Sequence, residues 1–450
     1  MIKLFTTIRK NYFDNTVELS KLSKTFFVWA IGLVLVYVSN IYLIRLIGLT
    51  QYGKYTVFVS WVSLISTLLT FGWDGYLMQK IPQLPKNSSG KITTAYILKK
   101  AIATFIVLYT VFTLLILWLA NYNKSALDFL EADQVPAFLL LIFLFTALVL
   151  LRSFLKIFHW VTKVQWLEDF LKPLVLFIVI LWYYKYKVQL SLSALYDINL
   201  LVFAGITICL FFFAIKVYRK NFHLEPSAAM ATEKWLSKCF YFMCIYLGYN
   251  IFTRMELLFL GFFTKNEDAA RYQILLRISD LVFVPDVLFN YFLPQKFAHY
   301  FGNKNIEEAK KLFKNSAKTI LLLAVLCFLG VSAIGYFYLQ SFAVASPEMY
   351  ILLLILCSAP IFNSLFGSSN LVLKASGNER FSFYALLIIL IVEAIANAVL
   401  IPLYGLKAAI AVSWSSIFLY NLLLSFFVHK RLQFYSRYSS ILFSVAKKNK

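Results

Sequence analysis

Residues 305–340 read NIEEAKKLFKNSAKTILLLAVLCFLGVSAIGYFYLQ. The second part, Thr319 to Gln340, carries no charged residue. It is long enough to cross a bilayer, because roughly 20 apolar residues in a helix span the ~30 Å hydrocarbon layer. The first part holds Lys310, Lys311, Lys314 and Lys318 beside Glu307 and Glu308, with Ile306, Ala309, Leu312 and Phe313 interleaved at helical spacing. That pattern predicts an amphipathic helix lying on the inner membrane surface. A basic connection joined to an uncharged run is the unit from which the whole chain is built, and it predicts an all-α, multi-pass membrane protein.

Composition agrees. Of 450 residues, 61% are hydrophobic and 14% charged, against about 25% charged in soluble domains. Twelve runs are candidates for spans: 26–49, 56–78, 101–120, 136–155, 168–184, 199–216, 237–263, 273–295, 319–340, 349–373, 382–402 and 407–428. With residues 1–25 placed inside, the inner segments hold 33 of the 43 Lys and Arg residues and the outer connections hold 8. Basic loops stay on the cytoplasmic side of inserted segments, so both termini are predicted to be cytoplasmic.

The expected organisation is a cytoplasmic N-terminal segment (1–25), a six-helix half (26–216), a cytoplasmic linker (217–236), a second six-helix half (237–428) and a basic cytoplasmic tail (429–450). The net charge of +22 reads as inside-positive sorting and attraction to anionic membrane lipids. It does not read as nucleic-acid binding, because no folded basic domain accompanies it. Two stretches hint at duplication of the halves. Leu46–Tyr55 (LIGLTQYGKY) and Leu260–Tyr272 (LGFFTKNEDAARY) each pair a glycine at the end of a span with a short polar turn and a tyrosine that opens the next span.

No metal site or cofactor is expected. Cys209, Cys239, Cys244, Cys327 and Cys357 fall in or beside apolar runs without paired spacing, and a ligand cluster needs close, polar-side cysteines. Outer connections are too short for the external carboxylate cluster of a membrane glycosyltransferase or polymerase.

Charges inside a membrane need a reason, since each costs about 2.5 to 3.5 kcal/mol on insertion scales. Arg254 and Glu256 lie in the seventh run, Arg277, Asp280 and Asp286 in the eighth, and Glu393 in the eleventh. Arg45 stands near the outer end of the first and Asp74 near the inner end of the second. Arg254 and Glu256 are two apart and diverge on a helix, so they cannot neutralise each other. Asn250 precedes Arg254 by one turn and extends its polar stripe. Arg277 and Asp280 stand three apart, which allows a local ion pair. Glu393 with Asn397 makes a second polar stripe, open to pore lining or an interhelical hydrogen bond. Asn363, Gly367 and Asn370 share spacings of four and three below Pro360, and Pro285 stands beside Asp286. Small-residue packing and a bent, mobile helix both account for these.

Five stretches together resemble a known family. They are Arg45–Tyr55; Arg254–Ile278; Asn290–Phe301 with Pro294; Ile361–Arg380 with Asn363, Gly367, Leu373, Gly377 and Asn378; and Pro402–Ala411 (PLYGLKAAIA). In order and spacing they resemble bacterial polysaccharide flippases, the Wzx-type branch of the multidrug/oligosaccharidyl-lipid/polysaccharide (MOP) exporter superfamily. One departure is Glu256, where the family more often has aspartate, and the carboxylate survives.

The resemblance implies a MATE-like fold with a central cavity between two six-helix halves. It implies transport, without chemistry, of undecaprenyl-diphosphate-linked oligosaccharide repeat units for O-antigen, capsule or exopolysaccharide across the cytoplasmic membrane, by a monomer that works alongside polysaccharide polymerase machinery. Under it, Arg45, Arg254, Arg277, Asn250 and Asn363 are expected to bind substrate. Asp74, Glu256, Asp280, Asp286, Glu393 and Asn397 are expected to couple transport to an ion or to line the cavity. A drug or cation antiporter of the same superfamily remains the competing reading.

Overall fold

The structure is a computed structural model describing residues 16–81, 88–122, 134–158, 160–221 and 235–434. The N-terminal segment before Thr16, most of the 217–236 linker and the tail beyond Phe434 lie outside the described residues. All regular structure among the described residues is helical: α1 (Thr16–Leu69), α2 (Trp73–Lys80), α3 (Ser88–Tyr122), α4 (Val135–Ile157), α5 (Val161–Gln165), a π-helical segment (Trp166–Leu171), α6 (Lys172–Lys185), α7 (Leu192–Asn221), α8 (Trp235–Phe252), α9 (Met255–Phe263), α10 (Asn266–Gly302), α11 (Ile306–Ser341), α12 (Pro347–Leu365), α13 (Ser369–Ala375), α14 (Glu379–Tyr404) and α15 (Leu406–Leu432).

These helices carry the twelve expected crossings in fewer uninterrupted pieces. Eight helices are by themselves long and apolar enough to cross a membrane. The difference has local causes. The first crossing and most of the second run on as α1, interrupted at Gly48, whose backbone (φ 79°, ψ 165°) leaves the helical region, and the second finishes in α2 after a turn at residues 70–72. The fifth crossing is opened by the π-helical segment, and the seventh is split at Thr253–Arg254 into α8 and α9. The eighth, α10, is too rich in charge to qualify on hydropathy.

Two compact units result. The first comprises residues up to Ile47 and Val62–Leu247. Trp73, 1% exposed, stacks on Trp235 with ring centroids 5.1 Å apart and sits in a core with Tyr76, Leu77, Ala101 and Cys239. A second core joins Leu148, Phe154 and Leu155 of α4 to Ile206, Leu210 and Ala214 of α7. Arg152 on α4 pairs with Glu168 on the π segment at 3.2 Å. Large apolar side chains such as Leu114 on α3 and Leu201 on α7 point outward, as a lipid environment requires of a helix whose backbone is satisfied internally.

The second unit comprises Gly48–Trp61 and the chain from Gly248 onward. Here the two similar turns seen in the sequence pack against each other. A Cβ on Gly53 would run into the carbonyl of Asn266, and one on Gly261 would meet Val57 at 2.7 Å. Thr50 Oγ1 donates to Glu267 at 2.9 Å. The close approach of the two backbones depends on the missing side chain of Gly53.

One local expectation is corrected in this unit. Residues 305–318 do not form a separate helix on the surface. They are the first turns of α11, capped by the Asn305 side chain accepting from the Glu308 amide. Ala309, Leu312, Phe313 and Ala317 are buried against the unit, so the apolar face is satisfied by protein instead of lipid. The eighth crossing, α10, continues through both Pro285 and Pro294. An interruption falls between α12 and α13, at Phe366–Ser368, where Gly367 adopts φ 69°.

Candidate functional site

Within the second unit lies a cavity of about 480 Å³. It is bordered by the start of α9 and by α10, by the α12–α13 interruption and by α14 and α15. Its lining includes Arg254, Glu256, Arg277, Asp280, Asp286, Asn363 and Glu393, so seven of the eleven residues singled out in the sequence meet there.

Helical rise explains why the two arginines come together. Arg254 stands ten residues before Thr264, and Arg277 eleven after Asn266; at 1.5 Å per residue both lie about 15 to 16 Å from that end of the bundle. Their guanidinium charges act on one another. Arg277 pairs with Asp280 at 3.6 Å, the local ion pair its spacing allows. Arg254 is bonded differently: its Nε donates to Asn250 Oδ1 at 2.9 Å and its Nη1 to Ser60 Oγ at 3.2 Å. Both partners are neutral. Asn250 thus does not line the cavity but aims the guanidinium at it, and this holds even though the helix breaks between Phe252 and Met255.

A second group of polar side chains is sealed off more tightly. Glu256 and Glu393 are 2% and 1% exposed. They face each other within side-chain reach, with Tyr272 beside Glu256 and Ser413 beside Tyr272. Glu256 Oε1, Glu393 Oε2 and both amide atoms of Asn397 are buried without a hydrogen-bond partner. Asn397 lies one turn from Glu393 and is fully buried. Two ionised carboxylates in such contact repel, so a shared proton or a small cation suits the arrangement. No group of three or more His, Cys, Asp or Glu side chains that could hold a metal ion occurs among the described residues.

Arg45 and Asp74 do not join the cavity of the second unit. Both belong to the first unit. Arg45 is exposed there, and Asp74 has a buried, unpartnered Oδ1. Other lining residues went unnoticed in the sequence, among them Asn290, Ser368 and Asn421. Asn290 is one turn from Asp286 and donates to its Oδ2 at 3.1 Å, a spacing that was available to be read. Ser368 carried no such signal, because it enters the cavity through a helix interruption.

Residues 22–294 match the model of a family described as polysaccharide biosynthesis protein. The chain belongs to that family. Membership in the polysaccharide biosynthesis protein family and the run of apolar helices make it a multi-pass membrane protein. Solved structures supply the fold. One, described as the inward-facing conformation of a multidrug resistance MATE family transporter of the MOP superfamily, aligns with a TM-score of 0.65 at 11% identity, over 90% of this chain and 94% of that one. A MOP superfamily transporter from Pyrococcus furiosus, described as having a binding pocket of reverse polarity, aligns with a TM-score of 0.63 at 11% identity, covering 92% and 95%. The lipid II flippase MurJ in an inward closed conformation aligns with a TM-score of 0.62 at 14% identity, covering 90% and 86%. At these identities the likeness is one of fold, and the fold is that of membrane transporters and flippases. A search of curated protein sequences gave no match.

Proposed function

We propose that the protein is a Wzx-type flippase, moving undecaprenyl-diphosphate-linked oligosaccharide units from the inner to the outer leaflet of the bacterial cytoplasmic membrane by alternating access. The observation that carries this reading is Arg254: a guanidinium near mid-membrane, on the wall of a cavity, held by two neutral partners. Such a charge is costly to insert and is offset when an anionic group arrives. A diphosphate is that kind of group, and guanidinium recognises phosphate oxygens in a planar, bidentate manner. Membership in a polysaccharide biosynthesis family supports the saccharide part of the cargo. In this reading Arg277, freed from Asp280 when cargo binds, adds the second positive charge. The Glu256 and Glu393 pair, with Asn397, takes up the proton or monovalent cation that couples transport to a gradient.

A direct test is transport of lipid-linked units into the outer leaflet of proteoliposomes. Arg254→Ala is expected to abolish transport at normal membrane levels, and Arg254→Lys to retain part of it, because lysine keeps the charge but not the planar fork. Full transport by Arg254→Ala removes the residue from the site. A second reading, a cation exporter, has one observation of its own: Asp286 lines the cavity with its carboxylate bonded to the neutral Asn290. Drug sensitivity of a deletion strain with normal surface polysaccharide would favour it, whereas lipid-linked units accumulating in the inner leaflet favour the flippase.

A further inference from the structure

The cavity of the second unit is polarised along its length. Its guanidinium end is described above. About 14 Å further along α10, at the level of Asp286, the lining changes character. There α10 faces the interruption between α12 and α13, where Gly367 turns the chain at φ 69°. A side chain there would be crowded, since a Cβ would lie 3.0 Å from the Phe313 ring and 3.1 Å from Ala317. The turn drives the chain on through Ser368 and Asn370, both lining the cavity. Neighbouring hydroxyls are satisfied locally: Ser364 donates to the Pro360 carbonyl at 2.8 Å and Ser369 to that of Phe366 at 2.9 Å. Ser368 Oγ and Asn370 Oδ1 are not, being buried without a hydrogen-bond partner.

A buried polar atom left unpaired is destabilising, so two of them at one helix break, on a cavity wall, call for a ligand. The chemistry of the atoms restricts its kind. Asn370 Oδ1 only accepts, the Asp286 carboxylate on the same cavity lining only accepts when ionised, and Ser368 Oγ does both. Phosphate oxygens, acceptors themselves, are repelled by the carboxylate and leave Asn370 Oδ1 unpaired. A neutral group rich in hydroxyls, which both donate and accept, complements all three.

We propose that this end of the cavity is a saccharide subsite, in which Ser368 and Asn370 at the helix break, with Asp286 on the same lining, receive hydroxyl groups of the sugar next to the diphosphate. The proposal rests on the flippase reading, in that the guanidinium end takes the diphosphate of the same molecule. Guanidinium groups at one end and unpaired hydroxyl and amide oxygens at the other match an anion tethered to a polyol. Broken helices that expose unpaired polar groups near the membrane interior are a general means of building such sites in transporters.

Binding to the purified full chain in detergent micelles tests it with two probes, undecaprenyl diphosphate and undecaprenyl-diphosphate-linked hexose. The unfolding midpoint of each variant is measured alongside. Asn370→Ala and Ser368→Ala are expected to weaken the hexose-bearing probe about tenfold, equivalent to ~1.4 kcal/mol, and to act on the bare diphosphate less than twofold. Asn370→Asp, which keeps an acceptor in place, is expected to restore most of the hexose-dependent affinity. Arg254→Ala is expected to weaken both probes alike. Equal losses for both probes in Asn370→Ala, or no loss for the hexose-bearing probe, overturn the subsite. Arg254→Ala with unchanged affinity for both probes overturns the diphosphate assignment instead, and a sugar-dependent loss in Asn370→Ala still stands apart from it. If the wild type binds neither probe, both assignments fall.

Discussion

Glu256 and Glu393 show what a single substitution can separate. Each alone is a carboxyl in a membrane interior, and their proximity raises the cost when both are charged. Glu393→Gln replaces one acid by an amide of nearly the same shape that can donate to Glu256. The expected outcome is an unfolding midpoint equal to or above that of the wild type, together with loss of the response of transport to an imposed proton or sodium gradient. A midpoint several degrees lower with gradient-driven transport intact would make the pair structural. At this scale the sequence marked most of the chemistry, since an acid or arginine in an apolar run is conspicuous whatever it touches. It also allowed the Arg277–Asp280 pair and placed Asn250 beside Arg254, but it could not name the other neutral partner of Arg254, Ser60, nearly two hundred residues away.

Among elements, the contact between Gly48–Trp61 and the α9–α10 corner is the most restrictive. Gly53 lies against the Asn266 carbonyl so closely that any Cβ displaces backbone. Overpacking of this kind typically costs 1 to 3 kcal/mol. Gly53→Ala is expected to lower the unfolding midpoint in detergent clearly, whereas Gly205→Ala, where a Cβ meets nothing within 4 Å, leaves it near the wild-type value. Equal midpoints for the two variants would show that the corner gives way without cost. The two corner sequences, Leu46–Tyr55 and Leu260–Tyr272, were legible as similar. Their contact was not, because similarity of pattern carries no information on which faces meet. The interruption at Gly367 was not legible for a related reason, because its glycine turns the chain at φ 69° where a Cβ would crowd Phe313 and Ala317, residues about fifty positions earlier.

At the scale of the whole molecule, the sorted Lys and Arg residues make a topological prediction. In a cysteine-free background, Glu348→Cys and Lys407→Cys, whose native side chains pair at 2.7 Å at the predicted outer end, should react with an impermeant maleimide in intact cells. Lys311→Cys, at the opposite end of the bundle, should react only after permeabilisation. The reverse pattern would invert the assigned orientation and with it the direction of transport.

The sequence by itself determined that the chain is a helical membrane protein of about twelve crossings, and which few ionisable residues the lipid would not tolerate without cause. Those features follow from hydropathy and charge summed over twenty residues at a time, so they survive errors in any single boundary. Tertiary structure alone decided that Arg254, Arg277, Asp286 and Asn363 share one cavity while Arg45 and Asp74 stand in the other unit. It also decided that Ser368 and Asn370 face that cavity with their polar atoms unspent. Such choices turn on helix register, on backbone breaks of one or two residues and on contacts between distant segments, where a shift of one residue rotates a side chain by 100° and no local pattern records the result.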